Sequence, residues 1–192
     1  ITLGDRYNHR DQAQVLSSHI GKIVRVQPDG TVPPDNPFVG RKDAAPEVWS
    51  YGHRNIQGAA LHPRTGVLWT HEHGPQGGDE VNIGEAGANY GWPVITHGRE
   101  YGLGTRIGEG TERADVKAAL HVWIPSIAPS GMAFVTHDAI PGWNGSLLVG
   151  ALRGQLLARL TLDGDKVVAE ERMLTGLHAR LHKSLRQGVG VA

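Results

Sequence analysis

Three short stretches hold the residues best suited to chemistry: Gly52-His53-Arg54-Asn55-Ile56-Gln57-Gly58, Glu72-His73-Gly74-Pro75-Gln76-Gly77-Gly78-Asp79-Glu80 and Asn89-Tyr90-Gly91-Trp92-Pro93. The bend from His73 to Glu80 offers main-chain carbonyls that a Gly-Pro kink keeps out of strand pairing, plus adjacent carboxylates at Asp79 and Glu80. Hard oxygen donors on a flexible loop suit calcium. Arg54 supplies a planar, permanently charged fork suited to a carboxylate or a quinone oxygen. Taken singly, the same residues have plainer readings. His53 serves as readily to cap a turn or complete a core hydrogen bond, and Asp79-Glu80 to form a solvated turn. His71-Glu72-His73 sets two imidazoles on one strand face, with no third ligand evident for a transition metal. Trp49, Trp69, Trp92, Trp123 and Trp143 read as packing anchors between twisted sheets rather than sugar-stacking platforms. Arg172, Arg180 and Lys183 read as a solvated face.

Loops that do chemistry need strands to hold them, and this chain is composed for short strands. Its 192 residues include 27 glycines, 11 prolines and only two methionines, so many turns and little helix are expected. A repeat emerges from short apolar runs that follow a glycine. Gln57 to Leu61 leads through a turn at Pro63-Arg64-Thr65-Gly66 to Val67-Leu68-Trp69-Thr70. Ser130 to Phe134 leads through Pro141 to Gly145 into Ser146 to Gly150, and Gln187 to Val191 begins the order again. Gly21 to Val26 and Gln155 to Leu160 both alternate apolar with polar residues before an Asp-Gly turn, the pattern of a hairpin with one buried face. With an outer strand such as Val167 to Glu170, the pieces make four-stranded units, the blades of a propeller. A β-sandwich has similar strands and turns, but the ordered recurrence favours blades. The spacing places a partial blade at 1–50, full blades at 56–120 and 121–176, and the first strand of another at 186–192. Such an arc leaves blade faces and strand edges open, so a longer protein or a second copy completing the ring is expected.

Composition narrows the function classes. Formal charges balance to zero, which advertises no nucleic-acid or polyanion partner. No apolar run approaches the roughly twenty residues that cross a bilayer, and no basic region followed by a short apolar stretch marks a signal peptide. Without cysteine there is neither a disulfide framework nor a thiolate metal site.

The strings GHRNIQG, EHGPQGGDE, NYGWP, IPSIAPSGMAF and GWNGSLLVGALRG, with the opening ITLGDR, resemble in content and order the soluble aldose sugar dehydrogenases that depend on pyrroloquinoline quinone (PQQ), and their relatives the soluble glucose dehydrogenases. The resemblance implies an all-β, six-bladed propeller that oxidises an aldose at C1 to the lactone with PQQ and calcium, passes electrons to an acceptor and works in the periplasm. It carries roles residue by residue. Gly74 and Pro75 match carbonyls that hold calcium, and Glu80 and Tyr90 match further calcium-binding positions. Arg54, with Asn55 beside it, matches the arginine at the quinone's reactive edge. Tyr101 matches a PQQ-contacting tyrosine, Pro125-Ser126 and Arg153-Gly154 match loops that reach the cofactor, and Asp5 matches an aspartate that supports the catalytic base. Two departures stand out. The family's catalytic histidine falls before Ile1, and none of His9, His19 or His53 takes its place. Where the family has an arginine pair for the PQQ carboxylates, this chain has Arg180-Leu181-His182-Lys183, so only Lys183 keeps that charge. Both departures also suit a rival reading, a non-enzymatic propeller module that binds calcium or a protein partner.

Overall fold

The computed structural model describes residues 1–181; Lys183 and the strand expected at 186–192 lie outside them. Three antiparallel sheets follow one another along the chain. The first contains β1 (Thr2–Leu3), β2 (Lys22–Val24) and β3 (Val48–Tyr51). The second runs β4 (Ile56–Leu61), β5 (Leu68–Glu72), β6 (Asp79–Ile83), β7 (His121–Trp123). The third runs β8 (Pro129–Phe134), β9 (Leu147–Ala151), β10 (Leu157–Asp163), β11 (Lys166–Met173). Each sheet pairs its strands in chain order, and β4 packs beside β8, as the leading strands of neighbouring blades do. The architecture is an all-β, incomplete propeller. Two short 3-10 segments, Arg10–Gln14 and Thr175–Leu177, are the helical elements among the described residues. None of those residues forms a helix long and apolar enough to cross a membrane.

Two expectations need correction. The second sheet closes on His121–Trp123, just beyond the boundary at 120 that turn spacing suggests. Asp79-Glu80, which taken alone reads as a solvated turn, instead opens that sheet's third strand, Asp79–Ile83.

Core packing between the second and third sheets explains why they stack. Trp69, Val81, Trp123, Phe134, Leu147 and Leu160 form one buried cluster, and burying each such side chain is worth roughly 1.5–3 kcal/mol. The Trp69 and Phe134 rings meet edge to face at 5.3 Å. The first sheet is tied differently. Lys22 is fully buried, and its ammonium donates to the carbonyls of Gln12, Ala13 and Ile20 at 2.8, 2.9 and 2.7 Å. Those bonds tie the later half of the long β1–β2 connection to β2.

Candidate functional site

The chain leaves β3 through Gly52, whose φ of 74° lies in the left-handed region that favours glycine. A side chain there would strike the Asn89 amide. Next come His53 and Arg54, and β5 supplies what fixes them. The buried Glu72 carboxylate accepts from the Arg54 amide at 2.6 Å and the Asn55 amide at 3.2 Å through Oε2. Its Oε1 meets His53 Nδ1 at 3.2 Å and accepts from Asn82 Nδ2 at 3.1 Å. Burial pushes the Glu72 carboxyl up, but the His53 ring and the two amides outweigh it and hold the group below the usual carboxylate range. His53 also contacts Ser50 Oγ at 2.9 Å and stacks on Tyr90 at 4.5 Å. It is a satisfied core histidine beneath the site.

Arg54 points the other way. Its Nη1 donates to the carbonyls of His73 and Gly74, each at 2.7 Å, and Nη2 reaches the Tyr101 hydroxyl at 3.4 Å. The guanidinium lies 5.4 Å from the Trp92 ring centre, and its Nε is buried without a partner. Asp5, Tyr7, Arg54, Pro75, Trp92 and Tyr101 line a cavity of about 320 Å³, within the range of small-molecule sites. Trp92 is thus a wall of the site as well as a packing residue, and its Nε1 donates to Asp5 Oδ2 at 2.8 Å. Asp5 Oδ1 accepts from the Tyr7 amide at 2.9 Å. The Asp5 carboxylate therefore orients an indole and a left-handed turn at Arg6 and Tyr7. No described histidine hydrogen-bonds to it.

The bend itself runs from His73 to Gly78. Gln76 pairs with Arg99 through a single bridge, while the His73 and Gly74 carbonyls take the Arg54 bonds rather than ladder bonds. A side chain at Gly74 would collide with the carbonyl oxygens of Gly77 and Gly78. Asp79 and Glu80, expected as a free pair, sit in β6 instead. Asp79 is buried, with Oδ1 accepting from the Gly74 amide at 2.9 Å and Ser126 Oγ at 3.0 Å, and Oδ2 from the Ala128 amide at 2.8 Å. The Glu80 carboxyl is pushed up to about 8 by burial and by the charge of Glu72.

Arg54, Pro75, Tyr101 and Asp5 thus share one cavity, and Gly74, Glu80 and Tyr90 line a smaller space beside it. The Tyr90 hydroxyl is turned aside, donating to the Ile83 carbonyl at 2.6 Å and accepting from the Glu85 amide at 3.0 Å. Only its main chain is left for an ion. Asn55 Oδ1 accepts from Gln57. The amides of Arg153 and Gly154 donate to the Ile127 carbonyl at 3.0 and 2.9 Å, which seats that turn against the Pro125-Ser126 loop. Pro125, Ser126, Arg153 and Gly154 do not line the 320 Å³ cavity. The transition-metal reading fails: among the described residues no three His, Cys, Asp or Glu side chains gather as a metal site, and burial pushes the ring of His71 down to about 4 while His73 Nε2 meets the Pro129 carbonyl. Glu72 is the functional residue that sequence reasoning gives no role, although it stands in the EHGPQGGDE string, whereas Asp79, expected to offer oxygens to an ion, is occupied by three protein donors.

The donors fit calcium and a quinone. Burial first and the Glu72 charge second push the Glu80 carboxyl up, and a divalent cation beside it would favour its ionised form. Arg54 lines the cavity with a planar cationic fork suited to a planar anion, and its buried Nε has no protein partner.

A family model described as Glucose / Sorbosone dehydrogenase matches residues 1–189. Over 190 residues the chain is 43% identical to the aldose sugar dehydrogenase YliI of Escherichia coli, covering 98% of this chain and 50% of that one. It superposes on a crystal structure of a glucose dehydrogenase with a TM-score of 0.91 at 49% identity, over 95% of this chain and 53% of the other. A PQQ-bound aldose sugar dehydrogenase from Streptomyces coelicolor matches with a TM-score of 0.71 at 32% identity, over 91% and 45%. The chain spans about half the length of these relatives, as three blades of a six-bladed ring would. With the quoted motifs, the three-sheet architecture and a family match over nearly its whole length, this chain belongs to the glucose/sorbosone dehydrogenase family.

Proposed function

We propose that this chain forms the calcium- and quinone-binding half of a periplasmic PQQ-dependent enzyme that oxidises an aldose at C1 to its lactone and delivers the electrons to an external acceptor. One observation carries the reading: a guanidinium facing a cavity of about 320 Å³ is clamped to the carbonyls of the His73–Gly74 bend, while its backbone is locked by a buried carboxylate. Calcium would be held by the Gly74 and Pro75 carbonyls, with the Glu80 carboxylate and the Tyr90 main chain as the matching further positions. The quinone would lie against Arg54, Asn55 and Tyr101, reached by Pro125, Ser126, Arg153 and Gly154, with Lys183 left for a carboxylate. The chemistry supplied by the bound groups is Lewis-acid polarisation and acceptance of a hydride at a quinone carbonyl.

The chain's own residues perform the preparation. Arg54 supplies fixed positive charge and several donors where negative charge develops, and such preorganised groups stabilise a transition state more than water can. Glu72 holds the Arg54 backbone, so the guanidinium spends little entropy in reaching position. Trp92 walls the cavity on one side, and Tyr101 reaches toward Arg54. Asp5 holds Trp92 and the Tyr7 turn, which shapes the mouth of the cavity.

Titration with PQQ in the presence and absence of calcium, followed by absorbance, tests the reading. A saturable, calcium-dependent change in the quinone spectrum is expected, with reduction on adding an aldose to the full-length protein. Calcium binding without quinone uptake overturns the enzyme reading in favour of a calcium-binding module.

A further inference from the structure

Asp79 has a place in the fold that the proposed chemistry does not yet use. It opens β6 at the end of the His73–Gly78 bend and is 1% exposed. Its carboxylate takes three donors from two blades. From the second blade comes the Gly74 amide, and from the connection into the third come Ser126 Oγ and the Ala128 amide. Ser126 and Ala128 are 47 and 49 residues from Asp79, so local chain geometry does not bring them together. Neighbouring bonds extend the link. Gly78 donates to the Trp123 carbonyl at 3.0 Å, and Leu152, Arg153 and Gly154 donate to the carbonyls of Ala128 and Ile127 at 2.8 to 3.0 Å. One buried anion therefore lies between the Gly74 carbonyl bend and the loops that carry Ser126 and Arg153. Ala128 adopts a left-handed conformation at φ 54°, unfavourable for a residue with a side chain. The bond to its amide is one that can offset that strain.

We propose that Asp79 is the positioning residue of this site: its carboxylate sets the distance and orientation between the Gly74–Pro75 carbonyls and the Ser126 loop, so that ion and cofactor meet donors from two blades in one register. The inference rests on the calcium and quinone reading above and deepens it. A carboxylate is required because every group facing it is a donor. Asparagine has the same shape but would turn an NH2 group toward one side and leave either the Gly74 or the Ala128 amide unpaired.

The test compares wild type, Asp79→Asn and Ser126→Ala in the full chain. Calcium-dependent PQQ binding is followed by absorbance, and hydrogen exchange is followed at the Gly74 and Ala128 amides without ligand. For Asp79→Asn the expected result is a loss of affinity of roughly 10–100-fold, as for groups that orient metal ligands, with faster exchange at both amides. Ser126→Ala, which keeps both amide bonds, serves only in the exchange measurement, where protection of the two amides is expected to be retained. Affinity within twofold of wild type in a folded Asp79→Asn, or amide protection unchanged there, overturns the proposal. If Asp79→Asn does not fold, Asp79→Glu replaces it. That variant keeps the charge but shifts the oxygens, so wild-type affinity overturns the proposal and a loss with a normal thermal midpoint supports it. If wild type binds neither calcium nor PQQ, the functional reading fails, and the exchange data alone decide whether Asp79 couples the two loops.

Discussion

The second and third sheets share one plan, four antiparallel strands in chain order, yet the second adds to its apolar residues a set of buried polar ones that the inner strands of the third lack. In β9 and β10 the buried side chains are Leu147, Leu148, Val149, Ala151, Ala158 and Leu160. In β5 and β6 they include Thr70, His71, Glu72, Asp79 and Asn82. Apolar strands stack with any complementary neighbour, since the hydrophobic effect has no direction. Buried carboxylates tolerate only the donors they face, so they specify which loops come together. The third sheet acts as a packed wedge, and the second fixes geometry.

The sharpest way to break this comparison is to remove the hub of the second sheet. Glu72→Ala leaves the amides of Arg54 and Asn55, His53 and the Asn82 amide without their shared partner. A loss of about 3–5 kcal/mol, read from denaturant unfolding, is expected, together with loss of calcium-dependent quinone binding. Leu147→Ala in the third sheet should cost about 2–5 kcal/mol through the cavity it leaves, while the surviving folded protein keeps near-normal quinone affinity. Equal losses of affinity in these two variants would remove the distinction between wedge and template.

Arg54→Lys refines the picture within the site. A point charge replaces a fork that bonds two carbonyls and lies near an indole, so quinone affinity should fall on the order of tenfold, one bidentate contact's worth. The thermal midpoint should move by less than in Glu72→Ala. Lys22 gives a pH test in the first sheet. Burial lowers its pKa from 10.5 to about 8. Between those values the unfolded chain binds more protons than the folded one, so this group makes stability rise with pH across that window. The thermal midpoint should therefore climb from pH 8 toward 10.5, and the climb should flatten in Lys22→Met. The smallest effect belongs to the surface pair Lys117–Glu85, with side chains 42% and 58% exposed. Lys117→Ala should change stability by no more than about 1 kcal/mol, less at high salt.

Several features of this molecule were legible before any coordinates. The strands at Ile56–Leu61, Leu147–Ala151 and Leu157–Asp163 follow from apolar runs and alternation bounded by glycine turns. Residue type singles out Arg54 and the Gly74-Pro75 bend in the sequence, and the structure joins them through the bond from Arg54 to the Gly74 carbonyl. Asp79 and Glu80 misled: two adjacent acids look like a solvated turn unless the donors that neutralise them are known. The donors to Asp79 come from Gly74, Ser126 and Ala128, and no local pattern links them. Trp92 is expected as a packing anchor rather than a sugar-stacking platform, and nothing local signals that its Nε1 meets an aspartate 87 residues away.

By itself, then, the sequence determined the all-β architecture, because period-two patterning and turn glycines act over a few residues at a time, and its motif strings carried the likeness to the glucose/sorbosone dehydrogenase family. Only the tertiary structure decided that Glu72 and Asp79 bracket the bend as buried templates and that Arg54 faces a shared cavity with Trp92 and Tyr101. Whether a carboxylate or a guanidinium is affordable in the interior depends on partners brought from distant segments, and those partners exist only once the blades have stacked.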